Sequence, residues 1–163
     1  MVTELTPALR LPPVPWRDPN TVSPADLAAY IHALENACEQ NPRSADLRTC
    51  LGMAYAMDYQ VYKSMDALEL AVNLEPDHFF AQLKHAELLY RLRALIRAEQ
   101  ETLKAVNLAG NAWELSLARK QLQEVRKLMR EGTQKPEWTK SLTMPGLFLL
   151  ALVIFLSIAV AWK

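Results

Sequence analysis

The sequence predicts an all-α protein: an antiparallel helix-pair solenoid followed by a single C-terminal transmembrane helix. Three features point that way. The hexapeptide AVNLEP at 71–76 recurs as AVNLAG at 105–110, and the same shift aligns Ala37, Ala71 and Ala105, pairs Leu34 with Leu68 and carries Pro76 back onto Pro42. A period of about 34 residues in a helix-rich chain is the mark of stacked helix pairs. Helix start and stop signals divide the chain at matching intervals. Finally, the stretch 147–162, LFLLALVIFLSIAVAW, has no charge and one hydroxyl, Ser157.

The elements follow in order. Residues 1–22 form a Pro-rich flexible arm, in which Pro12, Pro13, Pro15 and Pro19 forbid a helix. Within a helical domain spanning 23–131, Ser23, Pro24 and Asp26 supply the cap, first-turn proline and first-turn acid of a helix over 24–41, which Pro42 ends. Ser44 is expected to cap a helix over 45–57, followed by one over 60–75. Asp77 is expected to cap a helix over 78–92, followed by one over 95–109. Asn111 with Glu114 forms a capping box for a last helix over 112–131, closed by Gly132. The repeats run about 45–76 and 79–110, with helices 24–41 and 112–131 flanking them. Two pairs alone bury little, so the flanking helices are expected to close the stack. The helix over 24–41 aligns as the second half of a repeat whose first half is missing.

Inside the first pair, Leu51, Gly52 and Tyr55 followed by Leu68, Ala71 and Pro76 resemble the tetratricopeptide repeat (TPR) family. Small Gly52 and Ala71 let antiparallel helices approach closely, Tyr55 and Leu68 fill the remaining space, and Pro76 stops the second helix. Arg48 stands where the pattern has Trp, and Ser64 where it has Ala. The second pair keeps Ala86, Leu89, Ala98 and Ala105 but has His85 and Thr102 at positions of Leu and a large aromatic. The resemblance implies a concave groove lined by the first helix of each pair. Carried over residue by residue, it assigns to that groove Thr49, Met53 and Met57, then Phe80, Leu83, Lys84, Glu87, Tyr90 and Arg91, with Leu117 and Gln121 extending it. Such a mixture suits a peptide or helix of another protein. Some family members hold a C-terminal carboxylate with a Lys and Asn clamp. Here Thr49 and Met53 occupy the positions of the first clamp Lys and Asn.

Charge and composition exclude other classes. Eighteen basic and eighteen acidic side chains cancel, which gives no footprint for nucleic acid. The distribution is polar: ten acids against four bases at 24–87, then eleven bases against six acids at 88–140. His32, His78 and His85 are scattered, no Cys-x-x-Cys or His-x-x-x-His pair exists, and four glycines are too few for a phosphate loop. The expectation is a protein that is not an enzyme and uses no metal or cofactor. Cys38 and Cys50 are expected to be reduced thiols. The arm's Pro12-Pro13-Val14-Pro15-Trp16-Arg17 satisfies a P-x-x-P-x-R ligand pattern; the competing readings are a disordered arm or one whose Trp16 packs back on the repeats.

The tail is the last element. After a juxtamembrane linker at 132–144, the segment 145–162 approaches the ~20 residues needed to cross a bilayer. Five bases from Arg126 to Lys140 precede it and only Lys163 follows, so positive-inside counting keeps the helical domain in the cytoplasm. The expected function is a membrane-tethered, single-pass adaptor whose groove captures a partner protein, with the lipid bilayer as its second partner. The alternative is a structural or assembly subunit of a membrane complex or a self-associating scaffold, a homo-oligomer. The layout is similar to that of tail-anchored organelle-fission adaptors.

Overall fold

A computed structural model of the chain describes residues 22–133. The chain divides into two units, Met1–Met129 and Arg130–Lys163, and of the second the described part is the last turn of one helix. Six helices follow one another: α1 (Pro24–Gln40), α2 (Ala45–Met57), α3 (Val61–Leu74), α4 (Phe79–Arg91), α5 (Leu95–Leu108) and α6 (Ala112–Thr133). Each end lies within two residues of its sequence expectation, and α6 runs through Gly132 instead of closing there. The arm up to residue 21, the linker beyond 133 and the expected span at 145–162 lie outside the described residues. Among the described residues no helix is long and apolar enough to cross a membrane.

Local chemistry explains where the helices start. Ser23 Oγ accepts from the amide of Asp26 at 3.1 Å, and Ser44 Oγ from that of Leu47 at 3.2 Å. Both are N-caps that satisfy one of the orphan amides of a first turn. The cap of α4 is His78, not Asp77: its Nδ1 accepts from the Ala81 amide at 3.1 Å. The imidazole wins because its other nitrogen, Nε2, lies 2.7 Å from Asp46 Oδ1, a partner in the preceding pair that no local pattern announces. At α6, Asn111 Oδ1 accepts from the Glu114 amide at 2.9 Å, while the Glu114 carboxylate reaches back to the Gly110 amide at 2.8 Å.

The turns inside the two pairs are copies at the repeat spacing. Gln60 N donates to Tyr55 O at 2.9 Å and Ala94 N to Leu89 O at 3.0 Å. The residue before each sits in the left-handed region, Tyr59 at φ 58° and Arg93 at φ 62°. This is the usual C-terminal stop of a helix, made here without the glycine that relieves it.

Packing follows the period. Ala37, Ala71 and Ala105 are 1%, 0% and 0% exposed, so the aligned alanines mark one repeated point of closest approach. Leu27, Ile31, Leu34 and Cys38 form the inner stripe of α1 and pack with Leu51, Ala54 and Tyr55 of α2, while Tyr55 Oη donates to Glu35 Oε1 at 2.5 Å. In the first pair a Cβ added to Gly52 would stand 2.6 Å from Leu68 Cγ, so nothing larger than glycine fits. Ser64 Oγ donates to the Gly52 carbonyl at 2.6 Å, which gives the serine at the expected alanine position a partner. Phe79, Leu83, Ala105 and Ala118 bind the second pair to α6, and Leu89, Ala98 and Val125 continue that seam.

Candidate functional site

Stacking leaves the outer faces of α2, α4 and α6 around a cleft of about 900 Å³. Each helix contributes a stripe: Asp46, Thr49, Cys50 and Met53 from α2; Phe80, Leu83, Lys84, Glu87, Tyr90 and Arg91 from α4; Trp113, Leu117, Lys120, Gln121 and Glu124 from α6. Spacings of three and four place these residues on one face of each helix. The repeat generates the site as three parallel rows, for Thr49, Leu83 and Leu117 succeed one another at the repeat interval, as do Met53, Glu87 and Gln121.

The floor is fixed and the walls are polar. Thr49 and Leu83 are each 4% exposed, and the Thr49 hydroxyl donates to the Ala45 carbonyl at 2.8 Å. Gln121 Nε2 donates to the Leu83 carbonyl at 3.3 Å, tying α6 to α4 beneath the opening. Lys84 Nζ lies 2.8 Å from Glu87 Oε2, and Arg91 NH2 2.8 Å from Glu87 Oε1. Burial pushes the Glu87 carboxyl up, but the ammonium of Lys84 and the guanidinium of Arg91 outweigh it and hold the group below the ordinary carboxylate range. At one mouth the Phe80 ring meets Phe79 edge-on at 5.1 Å and Trp113 at 6.1 Å, with Trp113 itself 61% exposed. Burial and the nearby Asp46 carboxylate raise the Cys50 thiol above its ordinary value, which makes it a poor nucleophile. Among the described residues no group of three His, Cys, Asp or Glu side chains is placed to hold a metal ion.

Ten of the eleven residues expected in the groove line this cleft, and Met57 does not. Met57 sits in the last turn of α2, half-buried against the cluster that α1 forms with α2. The short connection at 41–44 makes α1 antiparallel to α2, so the first turns of α1 lie beside the end of α2 and take up this side chain. Arg91, its counterpart in the next repeat, instead folds back to Glu87 and stays in the lining. Five lining residues were missed: Asp46, Cys50, Trp113, Lys120 and Glu124. The period itself held the signal for three of them, since 46, 50 and 124 stand one repeat from Phe80, Lys84 and Tyr90.

No protein-family model matches the chain, and no curated protein does. Solved structures do. The first TPR of Spaghetti (RPAP3) bound to the HSP90 peptide SRMEEVD matches at 18% identity and TM-score 0.58, over 65% of this chain and 82% of that one. The Sgt2 TPR domain from Aspergillus fumigatus matches at 16% identity and TM-score 0.62, over 69% and 76%. The type III secretion translocator chaperone SycD of Yersinia enterocolitica matches at 16% identity and TM-score 0.58, over 66% and 76%. At these identities the likeness is one of fold: the described residues form an all-α, TPR-like stack of six helices.

Proposed function

We propose that the cleft binds a helix or short peptide of a partner protein, and that the segment 145–162 holds the resulting complex at a membrane. The observation that carries the first half is the lining itself. Met53, Phe80, Leu83, Trp113 and Leu117 offer apolar surface, beside three acids and three bases that leave no net charge. An amphipathic segment fits such a surface through apolar anchors spaced along one face, with polar groups at the rim setting its register.

The charge balance argues against an acidic chain end as the preferred guest. The Spaghetti TPR holds a peptide ending in EEVD, and so does another similar structure, the second TPR domain of human RPAP3 with the HSP70 peptide SGPTIEEVD. Here Asp46 and Glu124 stand in the walls, Glu87 engages both Lys84 and Arg91, and Thr49 and Met53 stand at the first clamp positions. The membrane half rests on the uncharged run at 147–162 and the bases that precede it. Tethering raises the local concentration of a guest even where cleft affinity is modest.

The test is capture from a membrane extract by the full chain and by a Phe80→Ala, Trp113→Ala variant. Losing the two rings at the mouth is expected to cost about 2 kcal/mol or more in all, so capture should fall at least about thirty-fold with the helical signal unchanged. Equal capture by both chains overturns the cleft as the binding surface. Release of the chain from membranes by a carbonate wash overturns the tether.

A further inference from the structure

The end of the stack at which α2 and α4 finish carries apolar side chains that packing does not explain. Tyr59 and Tyr62 are 82% and 88% exposed, Ile96 68% and Leu92 41%. The pattern repeats with the fold: Tyr62 and Ile96 occupy equivalent positions of successive repeats, in the first turns of α3 and α5. Tyr59 holds a left-handed backbone, φ 58°, where glycine would serve the turn better and where its ring touches no core. At the opposite end the exposed large hydrophobic side chains are Phe80 and Trp113, in the first turns of α4 and α6, and both belong to the cleft.

The second of the two turns at this end is basic, while the first pairs one acid, Asp58, with one base, Lys63. Residues 91–97 read RLRALIR, three arginines with no acid. Arg91 and Arg97 keep 65% and 61% of their side chains exposed, although Glu87 and Glu69 lie beside them. Met129 packs against the cluster of Leu89 and Ala98, so α6 passes this same end on its way out of the first unit. Thirteen residues, 134–146, then precede the apolar run at 147–162. Even fully extended they reach no more than about 45 Å.

We infer that this end of the stack docks on an anionic lipid bilayer, with Tyr59, Tyr62, Leu92 and Ile96 at the headgroup level and Arg93 and Arg97 on lipid phosphates and carboxylates. The inference rests on the reading of 145–162 as a membrane span. Tyrosine prefers the interface because its ring is apolar and its hydroxyl wet. Arginine near an anionic surface adds about five-fold in affinity per residue. Docking in this way would orient the repeat axis relative to the membrane.

The experiment is hydrogen exchange on the full chain in phosphatidylcholine vesicles, in the same vesicles containing phosphatidylserine, and in neutral detergent micelles. Amides of the 58–60 and 92–94 turns are expected to exchange several-fold more slowly with phosphatidylserine, while the 75–78 turn is unchanged. Arg93→Ala is expected to weaken vesicle affinity about five-fold and so to lower that protection, and Tyr62→Ser with Ile96→Ser to remove it. If the chain resists carbonate but both turns exchange alike in all three environments, the docking surface is overturned and the span stands. If carbonate releases the chain, the span falls and the docking surface with it.

Discussion

The α2–α3 and α4–α5 pairs have the same backbone plan and opposite ways of filling it. The first sets Gly52 against Leu68, with the missing Cβ of one making room for the branch of the other. At the matching places the second has Ala86 and Thr102, a slightly larger residue facing a slightly smaller one. Thr102 is 0% exposed and settles its hydroxyl on the Ala98 carbonyl at 2.6 Å. The first pair places its hydroxyl elsewhere, on Ser64, which donates to the Gly52 carbonyl. The repeat pattern thus constrains the sum of volumes at a helix crossing more than either residue, as close packing requires.

Truncation should separate the pairs most. Leu68→Ala is expected to cost about 2–5 kcal/mol, because it empties a fully buried site, whereas Thr102→Ala costs about 1 kcal/mol for its local hydrogen bond. Urea titrations of the two variants give the difference directly, and equal costs would mean that the two crossings are filled alike. Next in size, Gly52→Ala overpacks the first crossing by about 1–3 kcal/mol. Combined with Leu68→Thr, which copies the second pair, it is expected to cost less than the two single changes added together; strict additivity would show that the crossing volumes are not coupled.

His85 marks a further difference. It stands one repeat after Leu51, 5% exposed, with neither ring nitrogen hydrogen-bonded. Burial pushes its imidazole below the ordinary value of 6.5, against the pull of the nearby Glu101 and Glu69 carboxylates. Glu69 lies 3.9 Å away, too far to hydrogen-bond. The unfolded chain therefore takes up a proton at higher pH than the native one, so stability falls as pH drops from about 6.5 toward the depressed native value. His85→Leu should flatten that part of the profile and add about 1 kcal/mol or more at neutral pH by removing two orphaned polar atoms. A pH series of thermal melts that keeps its slope in the variant would place the titration elsewhere.

The smallest effect is where the two pairs agree. Tyr59→Gly and Arg93→Gly should each stabilise by about 0.5–1 kcal/mol, because glycine relieves the same left-handed backbone in both turns. Differential scanning calorimetry that finds one change stabilising and the other not would show that the turns are copies in outline only.

Most of this architecture was legible in the sequence because its determinants are local or periodic. Ser23, Ser44 and Asn111 cap helices through amides three residues away, and the alanines at 37, 71 and 105 repeat with the fold. Two of the misses share a cause in longer range. His78 displaced Asp77 as a cap because Asp46, 32 residues earlier, receives the other ring nitrogen. Met57 left the cleft because its apolar side chain packs on the cluster that α1 forms with α2, whereas Arg91, in the same place one repeat later, turns to Glu87. Asp46 and Cys50 went unread although the period that places their repeat mates Phe80 and Lys84 in the groove places them there too.

The ring of His78 gives the molecule a mechanical property. One nitrogen holds the first turn of α4 and the other braces the first turn of α2, so prying these helices apart at that mouth would undo the cap and the brace together. Asp46 is 82% exposed, so the brace itself contributes about 1 kcal/mol or less, and its effect is to set the orientation of the ring that caps α4 at the Phe80 edge of the cleft.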